Sequence, residues 1–221
     1  AWREREARDG DAGGAGQTDP RGQRTVPVVQ AGHGRVIVPG LRRVHAALMA
    51  PGVGHADPER IAAALTAQVL GEPGHGQLHW ALVDAGLAES AGLQHEPGDG
   101  FGTFGGWYAC TPRDQERVHG VFVEVLQRAQ EAAVRGDAAS LDPEAWNRAA
   151  RTLATDVLLQ AERPDGRLDP LAEAWAARGE LHDPSEIADR VLATPVQAGA
   201  ALLTRRPFDT LAVATVAGPA A

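Results

Sequence analysis

Val44, Ala46 and Leu48 alternate with Arg43, His45 and Ala47, the period of a strand that buries one face. A shorter β-rich run, Arg35–Val38, precedes it and ends at Pro39-Gly40. Beyond residue 57 the period changes to that of a helix. Ile61, Leu65 and Val69 form one apolar stripe, and Val118, Val121, Phe122, Val125, Leu126 and Ala129 form a second. Trp146, Ala150, Leu153 and Val157 form a third. Each stripe follows a capping residue joined to proline: Asp57-Pro58, Thr111-Pro112 and Asp142-Pro143. The same pairing recurs at Asp183-Pro184 and Thr194-Pro195. A short oxygen side chain there accepts from an orphan backbone N–H, and proline at the first helical position lacks an N–H that the helix cannot use.

Gln77–Ala85 and Leu168–Ala177 read as two further helices. Strand-like runs at Leu87–His95 and Phe101–Cys110 are joined by the turn-rich Glu96–Gly100, and Phe208–Val216 reads as a closing strand. Strands and helices come in blocks rather than in strict alternation. The expected class is therefore α+β, with helices layered on a largely antiparallel sheet. Residues 1–24 are polar and glycine-rich, which predicts a flexible linker ahead of one folded domain over 25–221. The start at Ala1 suggests a piece of something longer.

Composition removes several classes. A net charge of −8 argues against nucleic-acid or anionic-membrane partners. All 21 basic residues are Arg, so Schiff-base and P-loop lysine chemistry are excluded. Cys110 is the single cysteine, so there is no intrachain disulfide and no cysteine zinc cluster. That usage fits a bacterial cytoplasm, and the Ala, Gly and Arg content fits a GC-rich genome. No apolar run approaches the ~18 residues of a membrane span.

Four constellations invite chemistry, and each has a plainer reading. His75 and His79 share a helical spacing, with His55 or His95 as conceivable third ligands, but the ligand set is incomplete and no metal site is expected. His95-Glu96 opens like H-E-x-x-H, but Pro97 follows and Asp99 takes the fifth position. Gly100–Gly105 is a literal G-x-G-x-x-G, but the helix that a dinucleotide needs is not due until Pro112. Cys110 with His119 would be a nucleophile pair only if the thiol were accessible; a lone strand cysteine reads as buried and inert. Trp80, Trp107 and Trp146 read as core and Trp2 as linker. Asp165, Glu173 and Glu180 read as solvated helix charges.

Three segments carry a resemblance. Gly71–Ser90 (GEPGHGQLHWALVDAGLAES), Gly102–Pro112 (GTFGGWYACTP) and Leu159–Leu168 (LQAERPDGRL) resemble, in order and spacing, the second half of insulinase-type, pitrilysin-like zinc peptidases, mitochondrial processing peptidase among them. The resemblance covers roughly residues 25–218. It implies a fold of two similar halves around a chamber, with an H-x-x-E-H helix and its zinc in the first half. This sequence has no such motif, so it implies a non-catalytic half, without zinc of its own, that shapes the chamber and holds peptide for a zinc-bearing partner half. A non-enzymatic interaction domain of the same fold is the alternative. Active members carry a Tyr and an Arg that face the scissile peptide; here the Tyr position falls on Glu89 and the Arg position on Leu82 or Val83. An ionised carboxylate cannot donate to an oxyanion, so no catalytic residue is expected. Gly102 and Gly105, with Glu89, are the expected substrate-facing positions.

Overall fold

The computed structural model describes residues 29–137 and 140–219. Its five strands are β1 (Gly32–Ile37), β2 (Val44–Gly52), β3 (Ser90–Pro97), β4 (Gly102–Cys110) and β5 (Ala212–Ala217). They form one sheet in the order β1-β5-β2-β4-β3. Only β1 and β5 run parallel; every other pairing is antiparallel. Among the described residues there are six α-helices, besides a π-helical turn and a 3-10 turn: α1 (Arg60–Gly71), α2 (Gln115–Val134), α3 (Pro143–Ala161), α4 (Pro164–Arg178), α5 (Pro184–Ala193) and α6 (Val196–Leu203). This is the α+β class that the sequence predicts.

Alternation decides which face the helices take. Val44, Ala46, Leu48 and Ala50 of β2 are buried, as are Phe104 and Tyr108 of β4 and Leu93 of β3. His45, Ala47, Met49 and Pro51, one step out of phase, are exposed. All the helical cover therefore lies on one side. There α1 packs along β3, α2 and α6 lie beside each other, and α3 and α5 form an outer layer. Small side chains set the spacing. A Cβ on Gly71 would fall 2.2 Å from the Leu93 backbone nitrogen, so the end of α1 sits flush on β3. Phe122 of α2 lies over Gly106, and its ring approaches that of Tyr108 at 5.9 Å.

Helix starts follow the cap-proline rule at two of the five places. Asp142 accepts from the Glu144 and Ala145 N–H groups, and Asp183 accepts from that of Ser185, each with proline first in the helix. Asp57 instead caps a preceding turn through Glu59 N–H (2.8 Å), and α1 opens at Arg60. Thr111 donates its hydroxyl to Asp114 (2.6 Å), and α2 begins only at Gln115. Thr194 donates back to the Arg190 carbonyl (2.8 Å), leaving α6 without a side-chain cap. In the last two, the threonine hydroxyl is turned toward Asp114 or the Arg190 carbonyl instead of a helix start.

Other boundaries shift. The helix expected over Gln77–Ala85 is a wide π-helical turn, His79–Asp84, and that over Leu168–Ala177 runs Pro164–Arg178 with Pro170 inside it. Strands expected from Leu87 and Phe208 start at Ser90 and Ala212, because Phe208 is drawn into a 3-10 turn, Pro207–Asp209, and buried against Phe104. Trp146 is core, with its indole N–H donating to the Thr194 carbonyl at 2.9 Å. Trp107 is half-buried, lying over Gly92. Trp80 corrects the core expectation: it is 55% exposed, because the wide turn carries it outward while Leu82 fills the core. Residues 1–24, read as linker, and Trp2 among them lie outside the described residues, as does the side chain of Asp165.

The glycine contacts are testable by a pair of substitutions. Gly71→Ala should cost about 1–3 kcal/mol, since its clash is with backbone. Gly120→Ala, in an α2 position with nothing within 4 Å of the new Cβ, should gain about 0.5–1 kcal/mol. Urea denaturation of both variants reads the sign directly.

Candidate functional site: the bare face of the sheet

Cross-strand register builds the uncovered face in rows. Gly34, Ala214, Ala47, Trp107 and Gly92 form one row across all five strands; Gly32, Ala212, Met49, Gly105 and Gln94 form the next. Trp107 leans over Gly92 toward the β3 edge, so in these two rows the β1 half of the face carries only Gly, Ala and Met49, which is 47% exposed. Two adjoining hollows result. One, of about 360 Å³, lies over Gly32, Gly34, Ala47, Met49 and Ala214. The other, of about 610 Å³, continues past Met49 and Pro51 to Phe101 and Thr103. Together they form an apolar trough along the β1 side of the bare face.

The far wall of the trough is the corner where β2 ends against β4. Gly102 faces the Val53 carbonyl so closely that a Cβ would stand 1.9 Å from its oxygen. Gly54 lies against the β3–β4 turn, where His55 N–H donates to the Gly98 carbonyl at 2.9 Å. From the core side, His95 Nε2 accepts from Val53 N–H at 3.2 Å. That bond fixes the imidazole as the Nδ1–H tautomer, and Nδ1 is buried without a partner among the described residues. Burial pushes His95 down to about 4, so the ring is neutral at neutral pH.

The expected site residues do not converge. Glu89 is exposed, just before β3, and pairs with Arg43. Gly102 lies at the opposite end of the sheet, roughly 25 Å away along a strand at ~3.3 Å per residue. Its side faces the corner, not solvent. Gly105 alone of the three lies on the bare face, where a Cβ would meet only Gln94 at 3.8 Å. Leu82 is buried and Val83 half-buried. His75 is exposed, His79 stacks edge-on with Trp80, and His95 points into the core; among the described residues no three metal-ligating side chains come together. Burial raises the Cys110 thiol to about 11, and burial with His33 nearby lowers His119, so the pair offers no thiolate. Glycines 100–105 span a hairpin turn and a strand, with no helix opening on them. Glu173 and Glu180 are exposed and face His55 and His182. No described helix is long and apolar enough to cross a membrane.

The residues that make the trough, Ala47, Met49, Phe101 and Ala214, were not singled out by sequence. The signal was the outward alanines, Ala47 on β2 and Ala212 and Ala214 on β5, and it acquires meaning only once the two strands are known to be neighbours.

The family model described as "Peptidase M16 inactive domain" matches residues 6–153, more than half of the sequence. The chain belongs to the peptidase M16 inactive-domain family. Several solved structures share its fold. A peptidase M16 inactive domain from Pseudomonas fluorescens superposes with a TM-score of 0.71 at 16% identity, over 87% of this chain and 45% of that one. A protease from Helicobacter pylori gives 0.70 at 14%, over 88% and 48%. Complex III2 from Candida albicans, bound to Inz-5, gives 0.72 at 13%, over 84% and 45%. The chain therefore spans less than half the length of each of these structures, and at such identities the likeness carries the fold alone. No curated protein matches it by sequence.

Two measurements test the corner. Gly102→Ala should destabilise by about 1–3 kcal/mol, whereas Gly105→Ala should change stability by less than about 0.5 kcal/mol. For His95 the folded value, about 4, lies below the ordinary 6.5. The unfolded chain thus takes up the proton first as pH falls, and stability is lost between about pH 6.5 and pH 4 with no further loss from this group below that. Comparing urea denaturation at pH 7 and pH 4.5, the wild type should lose about 2 kcal/mol more than His95→Gln, which keeps an acceptor for Val53 N–H but does not titrate.

Proposed function

We propose that this M16 inactive domain is the non-catalytic half of an insulinase-type metallopeptidase. It walls the reaction chamber with its bare sheet face and holds peptide there for a partner half that carries H-x-x-E-H and its zinc. The single observation behind this is the one-sided sheet: helices cover one face, and the other presents an apolar trough with small side chains. Such a surface suits an extended chain lying across it and costs little to desolvate. No nucleophile, general base or metal set is assigned to this chain; the zinc, the base and the activated water belong to the partner.

A non-enzymatic interaction domain is the second reading. It is favoured by Glu89, which stands where active members have Tyr and is engaged by Arg43. The two readings separate in a reconstitution. The chain is mixed with an H-x-x-E-H-bearing M16 half, and hydrolysis of a mixed peptide pool is followed. The first reading expects hydrolysis by the pair and none by this chain alone. It also expects Ala47→Trp or Ala214→Trp, each filling the trough, to cut the rate by about tenfold while association and denaturation midpoint stay unchanged. Halves that associate without hydrolysing any peptide would leave the interaction domain.

A further inference from the structure

β1 differs from every other strand in being exposed along its whole length, with Val36 58% and Ile37 48% accessible. Its hydrogen-bond phase follows from its two ends. Gly32 N–H donates to the Leu211 carbonyl at 3.2 Å and Val38 N–H to that of Ala217 at 2.8 Å. In a parallel ladder, residues whose backbone groups serve one neighbour alternate with residues whose groups point the other way. The even-numbered residues therefore serve β5, and His33, Arg35 and Ile37 send both N–H and C=O outward, where no described residue takes them. The opposite edge is guarded: β3 carries Glu96, ends in Pro97 and has α1 packed along it. β1 has Arg35 as its single formal charge and no proline within it.

Each face of this edge has its own hollow. On the bare side, the apolar hollow of about 360 Å³ reaches the edge at Gly32 and Gly34, where an added Cβ would meet nothing within 4 Å. On the helix side, a hollow of about 250 Å³ lies among His33, Arg35, Tyr108, Glu116, His119 and Thr215. Side chains of a strand alternate between faces, so a chain laid along β1 would deliver successive residues to two different environments.

We propose that the β1 edge binds an extended peptide as a sixth strand, taking small apolar side chains over Gly32 and Gly34 and polar, hydrogen-bonding ones beside His33, Arg35 and Glu116. Outward backbone groups recurring every second residue, roughly 6.6 Å apart, are matched by another extended backbone and by no helix. The proposal rests on the peptide-holding part of the function above and names the kind of segment held: one with period-2 alternation.

The probe is a short fluorescein-labelled peptide alternating valine and threonine, with the same peptide N-methylated on alternate residues as control. Binding to the full chain by polarisation should be seen with the first and not with the second. Amide exchange at His33, Arg35 and Ile37 should slow on binding, while Gly34 and Val36, already bonded to β5, stay as they are. Arg35→Pro removes an outward N–H without costing the β1–β5 ladder a bond, and should weaken binding by about tenfold or more; Arg35→Ala, which loses the same side chain but keeps the N–H, should weaken it clearly less than Arg35→Pro does. Equal binding of the N-methylated peptide, or no binding, would overturn the proposal. So would protection that grows with protein concentration in the absence of peptide, which would give the edge to a second copy. If the edge fails this test while the reconstituted pair still hydrolyses peptides, the chamber reading survives. If peptide adds to β1 while no zinc-bearing half is activated, the edge stands and the chamber reading falls.

Discussion

A sheet that buries only one face has to decide, residue by residue, which side each strand shows to water. In this domain the decision is made by β2, the middle strand, whose Val44, Ala46, Leu48 and Ala50 anchor the core while His45, Ala47, Met49 and Pro51 face out. Neighbours on both sides inherit that phase through register. A slip of one residue would turn the buried set of β2 to solvent and drive His45 and Met49 under the helices, so the hydrophobic cost of misregister is distributed across the whole sheet. The helix layer, the bare face and the trough all follow from that one alignment.

Close backbone approach then fixes how far apart the layers lie. Gly71 against Leu93 and Gly106 under Phe122 place the helices near the sheet, and Gly199 under the Trp146 ring joins α6 to α3. The core has few aromatic residues and many alanines, so contact is gained by proximity rather than by large side chains. α4 is the exception. Of its residues with described side chains only Ala174 is buried, and Leu168 and Trp175 lie open on its surface.

Much of this was readable in the sequence, for identifiable reasons. Period-2 alternation gave β2, and period-3.6 stripes gave α1, α2 and α3, because burial on one face leaves a local signature. The Asp-Pro starts at 142 and 183 were legible because each carboxylate accepts from the free N–H groups of the first turn; Asp57 does so for a turn ahead of its helix, and the threonines at 111 and 194 turn their hydroxyls to other acceptors. Trp80 was misplaced because a π-helical turn rotates side chains by less per residue than the α-helix assumed. The ends of the sheet were the least visible. That β5 lies between β1 and β2 depends on contacts between distant segments, and the trough, made of Ala47, Met49 and Ala214, exists only because of that placement. Conversely, Gly102 attracted attention as a glycine in a strand, and its reason proved to be the Val53 carbonyl behind it.

The position of β5 also bears on how the domain is assembled in time. It pairs with β1 on one side and β2 on the other, yet it is the last of the five strands along the chain. During synthesis β2, β4 and β3 can zip together early, while β1 has no sheet to join until Ala212–Ala217 emerges and slots between it and β2. β5 is thus a keystone inserted last among the five strands, and the β2 edge that it covers stays open until Ala212–Ala217 has been made. High contact order of this kind slows folding and lengthens the window in which a partner strand or a chaperone can occupy the gap.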